Sequence, residues 1–130
     1  MSVIPSKQAS IVAIQAQANF LNTGGPASLV FYGDAKPAST SVTADSAARL
    51  VTLMLPNPAL KEVTADYVEL HQTEAGTVIK AGTATWARLY NGAGTPVYDL
   101  TVGTDITMNN PSLVIGSTLM GRSIKFRPPV

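Results

Sequence analysis

The chain has no cysteine and a single histidine. Without cysteine there can be no disulfide, no thiolate nucleophile and no Cys-based zinc site. This does not fix a compartment, because reducing and oxidising environments both accept a Cys-free chain. With one histidine, any Ser/His/Asp arrangement would have to use His71. His71 falls in an expected strand beside Glu69, where a solvated imidazole is the ordinary reading. Charge is scarce too. Charged residues make up 13% of the chain, about half the usual share, and the net charge is +1. No global field therefore steers the protein to nucleic acid or to an anionic membrane. No apolar run approaches the roughly 18 residues of a membrane span, and the N-terminal stretch lacks the apolar centre of a signal peptide.

Known chemical signatures are equally sparse. Ser117 follows Gly116 but lacks the second glycine of a nucleophile elbow. The carboxylates Asp34, Asp45, Glu62, Asp66, Glu69, Glu74, Asp99 and Asp105 are scattered, and none falls in a calcium-loop pattern. Gly92-Ala93-Gly94 precedes a strand and not a helix, so it reads as a hairpin and not as a phosphate cradle. Asn110-Pro111-Ser112 is no glycosylation site, because its middle residue is proline. Arg122, Lys125 and Arg127 gather around Phe126, with Lys125 and Arg127 on one face of an expected strand. Three charges with few aromatics make a poor RNA platform. They suit salt contacts at the rim of a protein interface better. The residues point to a non-enzymatic chain with no cofactor and no metal.

What is present is a rhythm of short apolar runs broken by Gly, Pro and Asn. Ile14, Ala16, Ala18 and Phe20 alternate with Gln15, Gln17 and Asn19, which predicts a half-buried strand closed by Asn22–Pro26. Further strands are expected over Ser28–Tyr32, Arg49–Leu55, Tyr67–Gln72, Thr77–Lys80, Thr83–Tyr90 and Val97–Val102, then around Ile106, over Leu113–Ile115 and over Thr118–Phe126. In Thr83–Tyr90, Ala84, Trp86, Arg88 and Tyr90 share one face, and Thr85, Ala87 and Leu89 the other. Asn91-Gly92 is a strong hairpin signal before the return strand. Pro56-Asn57-Pro58 is a firm stop. Ser39–Ala48 reads as a surface loop, with a short helix capped by Asp45 as the alternative. With no ten-residue helical pattern, the expectation is an all-β fold, an antiparallel β-sandwich of jelly-roll type with extended terminal arms. The expected division is an arm over 1–8, one β-domain over 9–126 and a tail over 127–130. Phe20, Phe31, Leu53, Trp86 and Leu100 are the expected core anchors.

Several blocks carry a resemblance. Gly24-Gly25-Pro26-Ala27-Ser28-Leu29-Val30-Phe31-Tyr32-Gly33 is followed by Lys36-Pro37-Ala38. Leu50-Val51-Thr52-Leu53 is closed by Asn57-Pro58-Ala59. Thr83-Ala84-Thr85-Trp86-Ala87-Arg88-Leu89-Tyr90, Gly94-Thr95-Pro96-Val97-Tyr98-Asp99 and Asn109-Asn110-Pro111-Ser112-Leu113-Val114-Ile115-Gly116 follow in order. Over residues 20 to 120 the chain resembles a family of small structural proteins of tailed-phage and prophage virions. It departs from that pattern after Met120, where Arg122, Lys125, Arg127 and two prolines replace a plain Thr/Ser strand.

The resemblance implies a virion component, assembled in the host cytoplasm and placed on the capsid exterior. The expected role is a cement or decoration protein that binds the major capsid protein and itself, as a homodimer or trimer. The expected contact residues are Ile4, Pro5, Lys7, Arg122, Lys125 and Arg127. A tail or head–tail connector component is the alternative within the virion. A carbohydrate-binding module using Trp86 and Tyr90 is the alternative outside it.

Overall fold

A computed structural model of the chain describes residues 4–108, 110–121 and 124–127. Its first element is a helix where alternation predicted a strand. Helix α1 spans Lys7–Phe20. Ser6 caps it, its side chain accepting from the Ala9 N–H at 3.1 Å. Its interior is rich in Ala and Gln, which favour helix, and Ile11, Ile14, Ala18 and Leu21 recur at helical spacing. Those four pack on the main core. Two periods are superimposed in one segment, and the helical one buries three large aliphatic side chains, Ile11, Ile14 and Leu21, where the other offers Ile14 and Phe20.

The consequences reach two expectations. Phe20 lies off the buried stripe and is 45% exposed, so it is not a core anchor; Leu21 takes that place. Lys7 and Gln8 belong to the helix, which leaves only Ile4–Ser6 extended ahead of it among the described residues. Beyond α1, Leu21, Asn22 and Thr23 donate to carbonyls three residues back, a tightened last turn that ends the helix. The Asn22 side chain then accepts from the Ala59 N–H at 2.9 Å, fastening the helix exit to the turn after Pro58.

The rest of the described chain is mostly β. The strands are β1 (Ser28–Tyr32), β2 (Arg49–Met54), β3 (Leu60–Val63), β4 (Val68–Leu70), β5 (Gly76–Thr77), β6 (Gly82–Thr83), β7 (Trp86–Tyr90), β8 (Pro96–Thr101), β9 (Ser112–Leu113), β10 (Thr118–Leu119) and β11 (Ile124–Phe126). They form several antiparallel sheets. One has four strands in the order β2-β1-β7-β8, and one has three in the order β11-β4-β3. Two-stranded ribbons pair β10 with β5 and β6 with β9. The expected run over Thr83–Tyr90 divides at Ala84-Thr85, and Ile106 makes an isolated bridge to Val102 instead of a strand. Strand β3 had no forecast, since Lys61 and Glu62 mask its pattern. Asp45 caps a short 3₁₀ turn over Ser46–Ala48 at the end of an otherwise irregular loop.

The hairpin at Asn91 is real, but it uses five residues. The Asn91 N–H donates to the Thr95 carbonyl at 3.0 Å, while its side-chain oxygen accepts from Ala93 and Thr95. Gly94, at φ +83°, takes the left-handed position. Gly92 serves differently. A Cβ there would stand 2.3 Å from the Gly25 backbone, so glycine lets the hairpin loop touch the turn after α1.

Strand alternation divides the four-stranded sheet into two faces. Leu29, Phe31, Val51, Leu53, Ala87, Leu89 and Leu100 point inward, with register Leu29↔Leu53, Leu29↔Leu89 and Phe31↔Val51. They share one core with Val68, Leu70 and Ile124 of the three-stranded sheet and with α1. Burial of each such Leu stabilises by about 1.5–3 kcal/mol relative to exposure. Phe31, Leu53 and Leu100 are therefore core anchors. Trp86 is buried as well, at 1% exposure, but on the opposite face, in a small cluster with Val30 and Tyr32.

Candidate functional site

The outer face of the four-stranded sheet is closed by the irregular loop that follows Tyr32. Tyr32 stacks on Trp86 with centroids 4.5 Å apart, and its hydroxyl meets that of Tyr90 at 2.8 Å. Burial, with that hydrogen bond second, pushes the Tyr32 phenol well above its ordinary range. The Trp86 indole N–H donates to Asp34 at 2.7 Å. Arg88, 1% exposed, gives Nε to Asp99 Oδ1 at 2.6 Å and Nη2 to Asp99 Oδ2 at 3.1 Å. Its Nη1 donates to the Val42 carbonyl at 2.7 Å. The paired carboxylate, ahead of any opposing cost of burial, holds the guanidinium more firmly charged than usual. Among the described residues no buried side-chain polar atom lacks a partner. This face is a satisfied structural network. Trp86 is buried in it, and Tyr90 is half-buried with its hydroxyl on that of Tyr32.

The open surface lies elsewhere, in a groove of about 630 Å³ between α1, β8 and β11. Pro5, Ala9, Ala13, Ile14 and Gln17 form one wall. Tyr98, Asp99 and Leu100 form the second; Lys125, Phe126 and Arg127 form the third. Tyr98 stacks on Phe126 at 4.7 Å, and its hydroxyl donates to the Gln17 side chain. Desolvation pushes the Tyr98 phenol up to about 12. Lys125 Nζ lies 4.7 Å and the Arg127 guanidinium carbon 5.6 Å from the ring centre of Tyr67, so both cations rest on one aromatic ring.

The groove unites three of the expected contact residues, Pro5, Lys125 and Arg127, from opposite ends of the chain. Ile4, 91% exposed, adjoins Pro5 at the N-terminal side. Lys7 is not among the lining residues. It is ion-paired with Asp66, whose carboxyl that hydrogen bond holds below the usual range. Arg122 lies outside the described residues. Tyr98 and Phe126 were not anticipated as lining; each sits in an alternating strand pattern, and only their contact across two sheets marks them.

His71 is half-buried just past β4, its backbone N–H donating to the Ala59 carbonyl. Among the described residues, no three His, Asp or Glu side chains cluster to hold a metal ion. No helix among them is long and apolar enough to cross a membrane. No protein-family model, curated protein or solved structure matches the chain.

Proposed function

We propose that this chain is a non-enzymatic structural protein of a phage virion, acting as a capsid cement or decoration protein that binds the major capsid protein and its own copies. The observation that carries the interaction role is the groove that gathers residues from both ends of the chain beside aromatic and basic side chains. The virion setting rests on the resemblance of residues 20 to 120 to phage structural proteins. The fold reading that accompanies it is a β-sandwich of jelly-roll type. In that reading β2-β1-β7-β8 is one layer and β11-β4-β3 the other, since their facing side chains share a core. Low charge suits such a protein, because charge is depleted at interface cores. Many copies on a symmetric shell act through multivalency, so each contact can be weak.

The test is copy number in purified particles, by quantitative mass spectrometry against the major capsid protein. A cement role predicts on the order of hundreds of copies in a simple ratio to the shell subunit. A count of about a dozen or fewer moves the chain to the tail or connector. Absence from particles overturns the virion reading.

A further inference from the structure

The groove is bounded by two sheet edges. β8 is the outermost strand of the four-stranded sheet, and β11 is the outermost strand of the three-stranded sheet. Three consecutive residues of β8, Tyr98-Asp99-Leu100, line the groove, as do Lys125 and Phe126 of β11 and Arg127 just past its end. Side chains alternate across a strand, so neither face alone can supply three in a row. It is the strand edges, with their backbone groups, that front the groove.

On β8 the direction of those groups can be followed. The Thr101 N–H donates to the Asp105 carboxylate at 2.8 Å, and the Thr101 carbonyl accepts from the backbone of Asp105 and Ile106. Both Thr101 groups thus point away from β7 and are taken. Asp99, two residues earlier, points the same way, and its backbone has no such cap among the described residues. The edge is closed at its C-terminal end and open before it.

Charge is unevenly divided along the same groove. Asp99 is neutralised by Arg88 at 2.6 Å. Asp105 is occupied with the Thr101 N–H at the far end. Glu69, opposite Lys125 across the β4–β11 pairing, is paired with Lys61 at 3.9 Å. Among the described residues Lys125 and Arg127 make no ion pair; they rest on the Tyr67 ring, and the nearby acidic group that feels the Arg127 charge, Asp66, is already ion-paired with Lys7. The β11 wall therefore offers two cations beside apolar surface from Phe126, Tyr98 and Ile14.

We propose that the groove binds an extended acidic segment of another protein chain, which adds its backbone to the open edge of β8 and seats a carboxylate against Lys125 and Arg127. This is strand addition, in which main-chain hydrogen bonds supply affinity and alternate side chains supply specificity. An apolar residue of the segment packs on the Tyr98–Phe126 stack, and the acidic residue after it turns to the basic wall. The proposal deepens the interaction role above and names the chemistry that the partner must present.

The probe is a fluorescein-labelled hexapeptide, Leu-Glu-Val-Asp-Leu-Glu with blocked ends, titrated by anisotropy with the full chain. Its neutral counterpart is Leu-Gln-Val-Asn-Leu-Gln. The acidic peptide is expected to bind about tenfold more tightly than the neutral one. Lys125→Gln with Arg127→Gln should abolish that preference with an unchanged circular dichroism spectrum. N-methylation of alternate peptide nitrogens should weaken binding in one register and spare it in the other. Equal binding of the two peptides, no binding of either, or a preference that survives in the double variant overturns the proposal. Equal competition by a ten-nucleotide oligothymidine overturns it too, since the groove would then read anions in general.

The virion reading fails separately. If particles carry the double variant as well as the native chain, the groove assignment falls and the virion reading stands. If the acidic peptide binds but particles lack the protein, the reverse holds.

Discussion

The two faces of the four-stranded sheet solve the same problem by different physics. The inner face is apolar and is covered by other regular elements, the three-stranded sheet and α1. The outer face carries Tyr32, Trp86, Arg88, Tyr90 and Asp99 and is covered by a loop with almost no regular structure. Apolar packing is non-directional, so many side chains of about the right size would serve inside. A loop has backbone polar groups that must be paired when it covers a core. Arg88 does this pairing: one guanidinium joins Asp99 to the Val42 carbonyl, while Trp86 holds Asp34. The outer face is therefore specified by a few directional contacts and the inner by many interchangeable ones.

That difference predicts unequal responses to substitution. The largest effect is expected at Arg88. Arg88→Met leaves the Asp99 carboxylate buried without a partner and should cost about 4 kcal/mol in urea unfolding. The double change Arg88→Met with Asp99→Leu should recover most of that loss, because a buried pair replaced by apolar groups is close to neutral. A double variant as unstable as the single one would place the stability in the contacts to the loop carbonyls instead. Trp86 emission is expected to be blue-shifted in the native chain and to move to the red in Arg88→Met as the loop loosens.

Inside, Leu89→Ala should cost about 3 kcal/mol through lost burial and the cavity left behind. It should leave Trp86 emission unchanged. A red shift as large as in Arg88→Met would show that the faces are not independent.

A smaller effect concerns Tyr98, at the edge between the inner face and the groove. Its phenol ionises at about 12, against about 10 in an unfolded chain. The folded state holds the proton more tightly, so the contribution of Tyr98 to stability is full below pH 10 and is lost as pH rises from 10 to 12. Tyr98→Phe should flatten part of that fall in alkaline unfolding followed by circular dichroism. An unchanged profile would assign the alkaline loss to Tyr32, whose phenol is also raised.

Much of the sheet was legible because strand alternation is a local signal. Ser28–Tyr32 appears with its expected bounds, and Trp86, Arg88 and Tyr90 share one face as their spacing required. The N-terminal segment was not legible, because Ala and Gln between Ile11 and Ala18 satisfy a period of two and a helical period together. Packing of α1 against β3 and β4, with Ile11, Ile14 and Leu21 in the shared core, chooses between them, and β3 itself lay hidden under Lys61 and Glu62. The groove was half legible. Pro5, Lys125 and Arg127 stood out by composition, whereas Tyr98 and Asp99 looked like ordinary strand residues.

Local order along the chain was enough to decide a β-rich chain of short strands, the turn at Asn91 and the faces of β7, since each depends on neighbours a few residues away. Tertiary packing alone decided that residues 7–20 coil into a helix, that Trp86 is sealed beneath a loop and not between two sheets, and that Tyr98 meets Phe126. Those outcomes turn on which distant surface removes a side chain from water, and that free energy exists only once the distant strands have paired.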